Sequence, residues 1–150
     1  MDASQLETGH ATIDAQHRSM LVTADSLRKR VDAGDPAGAA IALAALWDET
    51  VAHFATEESL MEEHAYPERT AHRSAHTLFV QDLKSLGEEL RGHGLTADVA
   101  ARARQRVPDW IRFHIETNDL PFGRFLARRL AARLVAGARG EVPPPRRRDA

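Results

Sequence analysis

His53 and Glu57 stand four residues apart in HFATEESLM, and His72 and His76 repeat that separation in AHRSAH. On a helix this spacing places two side chains on one face, about 6 Å apart, so each pair aims its donor atoms in one direction. His17, near the start of one helical stretch, and His114, near the end of another, can join them at one depth if alternate helices run oppositely. Asp119 lies five residues beyond His114, about 140° around an ideal helix. It reaches the same point only through a local widening of the helix or a sideways reach toward a neighbour. Pro121 favours such irregularity, because its ring clashes with the carbonyl of Thr117.

Burying five imidazoles and two carboxylates without a partner would cost several kcal/mol for each ion, against a total stability of about 5 to 15 kcal/mol. Convergence therefore demands cations. The absence of cysteine excludes thiolate zinc sites, cysteine-ligated iron-sulfur clusters, disulfides and a cysteine nucleophile, so any metal must be held by nitrogen and oxygen. Imidazole with carboxylate suits iron, zinc, copper or nickel, and two bridging carboxylates suit two ions rather than one. Two octahedral ions offer twelve positions: five for nitrogens, four for two bridging carboxylates and two for a shared solvent oxygen. One position stays open, where a small diatomic molecule can bind.

The elements that must position these groups read as helices. Short alternating strand patterns are absent and aromatics make up only 5% of the chain. A first helix is predicted from about Asp14 to Asp32, ended by Gly34 and Pro36, and a second from about Ala37 to Ala65, closed by Tyr66 and Pro67. The third spans about Glu68 to Leu90 and stops at Gly92 and Gly94; the fourth is capped by Thr96 or Asp98 and continues toward Asp119. The expected fold is all-α, an up-and-down antiparallel four-helix bundle, with a short fifth helix after Pro121. Residues 1–137 form the bundle domain in this reading, and the Arg/Pro-rich residues 138–150 form a disordered tail.

Charge is unevenly spread. Residues 124–150 carry eight arginines against Glu141 and Asp149, so a net charge of -2 leaves residues 1–123 strongly acidic. That body does not suggest nucleic-acid binding. The basic end is a candidate contact for an unidentified acidic partner or membrane surface, although a solvated tail is the simpler reading. No run of eighteen apolar residues and no leader pattern occurs, so a soluble cytoplasmic protein without a membrane span is expected. His10, His64, His93, Glu58, Glu62 and Glu63 are read as surface groups. Asp14 is assigned to capping the first helix or orienting His17.

The stretches TGHATIDAQHRSML, HFATEESLM, YPERTAHRSAH and WIRFHIETND, in this order over residues 8 to about 126, resemble the hemerythrin family in its single-domain bacterial form. The resemblance implies a non-haem di-iron centre bridged by an oxo or hydroxo group. By it, His72, His76 and His114 hold one iron, His17 and His53 the other, and Glu57 and Asp119 bridge them. It also implies that dioxygen binds end-on at the iron with two histidines, as peroxide formed by transfer of two electrons. Ile111 and Ile115 are expected to wall the oxygen site, with Trp110, Phe54 and Met61 nearby, keeping out water and protons. The chain departs from the family where a tryptophan usually precedes the TG turn and Leu6 stands instead, and in Pro108 within the fourth helix.

Reversible oxygen binding for storage, delivery or transport is thus the expected function. No nucleophile triad, phosphate loop or H-E-x-x-H run marks an enzyme. The alternatives are an enzyme reducing nitric oxide or peroxide, and a module sensing or detoxifying oxygen or nitric oxide.

Overall fold

Several helix ends of the protein fall on an identifiable capping residue. In the computed structural model, which describes residues 6–138, α1 spans Ala11–Asp32, α2 Pro36–Glu63 and α3 Arg69–His93, while α4 runs unbroken over residues 97–138. Asp35 caps α2 by accepting the Gly38 N–H at 2.8 Å, with Pro36 in the first turn where its missing N–H costs nothing. Thr96, rather than Asp98, caps α4 by accepting the Val99 N–H at 3.2 Å. Gly94 closes α3 at a φ of 71°, a left-handed conformation that glycine adopts without strain. The N-cap of α1 is His10, whose Nδ1 faces the Ile13 N–H at 3.5 Å. His10 is half-buried there, as is His64 at the end of α2, and of the three histidines read as surface groups only His93 is exposed.

Short connections pack α1 against α2 and α2 against α3, and α4 returns along α1 and α3, giving the expected helical bundle with no strand among the described residues. A larger apolar cluster fills most of its length with Met20, Leu27, Leu46, Phe54, Phe79, Leu83, Leu86, Ile111 and Ile115. Leu6, which stands where the family's tryptophan is expected, is buried in it. A second, smaller cluster joins Ile13, Met61, Tyr66, Phe122 and Leu126. No helix among the described residues is long and apolar enough to cross a membrane.

The separate fifth helix expected after Pro121 is not found; its residues continue α4. The reason lies in two π-helical turns, Arg102–Arg106 and Ile115–Asp119. The Val107 N–H donates to the Arg102 carbonyl and the Leu120 N–H to the Ile115 carbonyl, each five residues back, and each turn is followed one residue later by a proline, Pro108 and Pro121. The wide turn holds one extra residue. It loosens the ladder where the proline lacks a donor and where its ring would meet the carbonyl four residues earlier, so the chain passes both prolines without ending the helix. The tail expected over 138–150 lies outside the described residues except for Ala138, which is helical and is the last described residue of α4.

Candidate metal centre

Between the two apolar clusters lies a polar layer, and helix periodicity puts it there. Along α1 the buried order is Ile13, His17, Met20; along α2 it is Phe54, Glu57, Met61; along α4 it is Ile115, Asp119, Phe122. In each helix a polar residue sits one turn from apolar residues on either side, so the three meet at one level. His53 and the α3 pair His72 and His76 complete that level, and His114 enters from α4. All seven residues expected from the spacing are buried.

The layer divides into two overlapping groups, Glu57, His72, His76, His114 and Asp119 in one and His17, His53, Glu57 and Asp119 in the other, with the donor atoms of each group within 4.8 Å of one another. Asp119 straddles the division. Its Oδ2 lies 3.0 Å from His17 Nε2 and 3.9 Å from His53 Nε2, while its Oδ1 lies 3.0 Å from His72 Nε2 and 3.1 Å from His114 Nε2. Glu57 Oε2 lies 3.5 Å from His53 Nε2, 3.3 Å from His72 Nε2 and 3.2 Å from His76 Nε2. The π turn is the local widening that brings Asp119 under His114 despite the spacing of five.

Close approach leaves most of these atoms without a hydrogen bond. The carboxylate oxygens of Glu57 and Asp119, together with the Nε2 atoms of His17 and His76, are buried without a hydrogen-bond partner. His72 Nε2 and His114 Nε2 face each other at 3.1 Å, a hydrogen bond in which whichever ring carries its proton on Nε2 donates to the other. Buried polar atoms of native proteins are normally satisfied. Lone pairs converging from five imidazoles and two carboxylates are satisfied together by cations, and a nitrogen and oxygen donor set without thiolate fits a non-haem metal.

The electrostatics show the same demand for positive charge. Burial pushes the Asp119 carboxyl up, yet the imidazoles of His114, His17, His53 and His72 outweigh it and hold the group well below the usual carboxylate range. Glu57 is also lowered: burial and the charge of Asp119 raise it, but His72, His76 and His53 prevail. His72 is depressed by burial and lifted further by Asp119 and Glu57, reaching about 9. His114 is lowered, chiefly by burial.

Groups around the layer orient it. His53 Nδ1 donates to Gln16 Oε1 at 3.2 Å. The amide is fixed in that sense because Gln16 Nε2 donates to Thr56 Oγ1 at 3.0 Å and that hydroxyl donates to the Ala52 carbonyl. His76 Nδ1 donates to Glu58 Oε1 at 3.0 Å, so Glu58 is not the free solvated carboxylate expected from its position 100° around α2 from Glu57. It lies on the side where α3 passes. Asp14 neither caps α1 nor hydrogen-bonds to His17. It is buried and accepts the Thr8 N–H and hydroxyl, each at 2.7 Å, and the Gly9 N–H at 3.1 Å, clasping the loop before α1. None of Gln16, Glu58 and Asp14 carries a spacing signal, since each acts across elements or on a loop.

The expected pocket residues separate in space. The Phe54 ring stacks on His76, with centroids 3.7 Å apart and planes at 8°, and Trp110 stacks on His114 at 4.5 Å and 11°. Ile111 and Ile115 are buried in the same larger cluster as Phe54, whereas Met61 belongs to the smaller cluster on the opposite side of the polar layer.

A helical bundle carrying a buried layer of histidines and carboxylates fits the class of proteins that hold a non-haem metal centre. The family model of the hemerythrin HHE cation binding domain matches residues 8–126, and the chain belongs to the hemerythrin family. It is similar to the bacteriohemerythrin of Stenotrophomonas maltophilia, with 30% identity over 114 residues covering 76% of this chain and 72% of the relative. The bacteriohemerythrin of Pseudomonas aeruginosa is 29% identical over the same coverage. That of Methylococcus capsulatus is 27% identical over 125 residues, covering 83% of this chain and 94% of its own.

Proposed function

We propose that this chain binds dioxygen reversibly at a non-haem di-iron centre, acting as an oxygen carrier, store or delivery protein. The observation that carries this reading is Asp119, which turns one oxygen toward His17 and His53 and the other toward His72 and His114. A carboxylate placed between two imidazole groups is suited to bridge two ions, and Glu57, which belongs to both groups, would serve as the second. In this assignment His72, His76 and His114 would hold one ion and His17 and His53 the other. The half with fewer histidines would have room for a further ligand. Bound iron would supply the electrons that a diatomic oxygen molecule takes up and returns.

The chain's own residues then do two things. Gln16, fixed by Thr56, keeps the proton of His53 on Nδ1 and leaves Nε2 free toward the layer. Phe54, stacked on His76, and the buried Ile111 and Ile115 would exclude water from the centre. The functional unit in this reading is the bundle of residues 1–137, and residues 138–150 are dispensable for oxygen binding.

Metal analysis of purified protein tests the basis: two irons per chain are expected, and one zinc per chain overturns it. Anaerobic reduction followed by air should give a visible charge-transfer band that disappears on removing oxygen and returns on readmission. Direct conversion to the oxidised form, or steady turnover of nitric oxide or peroxide, overturns the carrier reading.

A further inference from the structure

The outer nitrogens of the imidazoles are not equally supported. His17 Nδ1 and His72 Nδ1 are buried without a hydrogen-bond partner, and His114 Nδ1 faces the amide nitrogen of Asn118 at 3.3 Å. His53 Nδ1 reaches a neutral amide oxygen and His76 Nδ1 reaches a carboxylate. Within the group of His72, His76 and His114, Glu58 therefore supplies the one hydrogen-bond acceptor found on an outer nitrogen among the described residues.

Glu58 is suited to that task. An ionised carboxylate accepts and cannot donate, so the 3.0 Å contact places the imidazole proton on His76 Nδ1. His76 Nε2 is thereby left as a bare lone pair, and it is the buried atom without a partner that points at Glu57, 3.2 Å away. The carboxylate is itself held. Its second oxygen lies 3.3 Å from Arg73 Nε, and Arg73 and His76 are neighbours on α3, so Glu58 reaches from α2 to one face of α3 with both oxygens engaged. Phe54 stacked on the His76 ring limits its rotation from a third direction.

We infer that Glu58 is a positioning residue for the three-histidine half of the centre: through His76 it fixes the tautomer and ring orientation and raises the basicity of that ligand. This rests on the metal-binding reading above. Its consequence is an asymmetry between the halves, one backed by a carboxylate and the other by the neutral Gln16 amide. Loss of a partner of this kind typically weakens metal affinity by about 10- to 100-fold.

The test is an anaerobic titration of metal-free protein with Fe(II), and in parallel with Co(II), against a competing chelator, comparing wild type with Glu58→Gln and Glu58→Ala. Two binding steps are expected for wild type. In Glu58→Ala one step should weaken by about 10- to 100-fold while the other keeps its constant, with Glu58→Gln between, because its amide oxygen still accepts the His76 proton without the charge. Removing the acceptor leaves the buried His76 Nδ1 unpaired, so a lower thermal midpoint is expected for metal-free Glu58→Ala, and the readout a merely structural role would not move is the confinement of the weakened binding to one step. Wild-type constants for both steps in Glu58→Ala overturn the inference, as does equal weakening of both steps. A wild-type protein that takes up no metal overturns the proposed function itself, and is distinguished from either by the control titration.

Discussion

His114 Nε2 and Asp119 Oδ1 lie 3.1 Å apart although five residues separate them on one helix, and the π turn Ile115–Asp119 is what closes that distance. On a regular helix position 118 would sit under His114. In the wide turn Asn118 is displaced instead to the outer edge, where its amide meets His114 Nδ1.

Exchanging the two residues tests the turn directly. In the double variant Asn118→Asp with Asp119→Asn, the charge moves to the outer nitrogen and an amide faces the layer. Metal content should fall from two ions per chain to one or none, measured by elemental analysis after anaerobic loading. Two tightly bound ions in the exchanged protein would mean that the turn is α-helical in solution.

Much of this site is legible in the sequence because helices convert spacing into direction. The pairs His53 with Glu57 and His72 with His76 need only a helix to be neighbours, and Gly34 with Pro36, Tyr66 with Pro67, and Gly92 with Gly94 mark where those helices stop. Asp119 is legible only as a problem, whose solution depends on how Pro121 is accommodated. The same proline suggests the end of a helix when read alone, and only the widened turn shows why α4 runs through it. Glu58 and Asp14 are misread for a common reason: a helical wheel tells which way a side chain leaves its own helix, but not what passes there. α3 lies beside Glu58, and the loop at Thr8 and Gly9 folds onto Asp14.

The loop clasped by Asp14 also depends on a residue far away in sequence. A Cβ at Gly123 would stand 2.5 Å from the Thr8 carbonyl oxygen and 2.7 Å from Thr8 Cβ, closer than packed atoms approach. Gly123→Ala must displace the loop, loosening the three hydrogen bonds to Asp14, and should destabilise the protein by about 1 to 3 kcal/mol. Gly137→Ala is the control: nothing lies within 4 Å of its Cβ, and the change should stay within about 0.5 kcal/mol. Chemical denaturation of the two variants checks the difference.

Phe54 has both a packing and a protective part. Its ring contacts His53, His76, His114, Phe79 and Trp110, so Phe54→Ala removes the centre of an aromatic cluster and should cost about 3 to 5 kcal/mol in denaturant unfolding. Phe54→Leu keeps most of the volume and should cost less than about 1.5 kcal/mol. If the ring excludes water, both variants should lose the oxygen-dependent visible band faster than wild type, and the alanine variant faster than the leucine one. Equal decay in all three would remove Phe54 from the protective wall.

Metal uptake should release protons, and the direction of the His72 shift says when. In the metal-free protein His72 titrates at about 9 against an unfolded value of 6.5, because Asp119 and Glu57 outweigh its burial. It therefore holds its proton at neutral pH, and metal binding, which requires a neutral imidazole, must displace it. Calorimetric titrations at pH 7.5 in buffers of different ionisation enthalpy should show about one proton released per chain from this group. The same shifts set the stability of the metal-free form. A raised pKa stabilises below 6.5 and that contribution is lost as pH rises through about 9. Glu57 and Asp119 are lowered, so their contribution is present above 4.5 and 3.8 and is lost as pH falls through the folded values. His114, lowered chiefly by burial, also costs stability as pH falls below 6.5. The thermal midpoint of the metal-free protein should thus peak near pH 6.5 and fall toward pH 9, whereas the loaded protein, whose His72 is held as the neutral imidazole, should show no such alkaline decline. Parallel alkaline declines in both forms would exclude His72 as the group responsible.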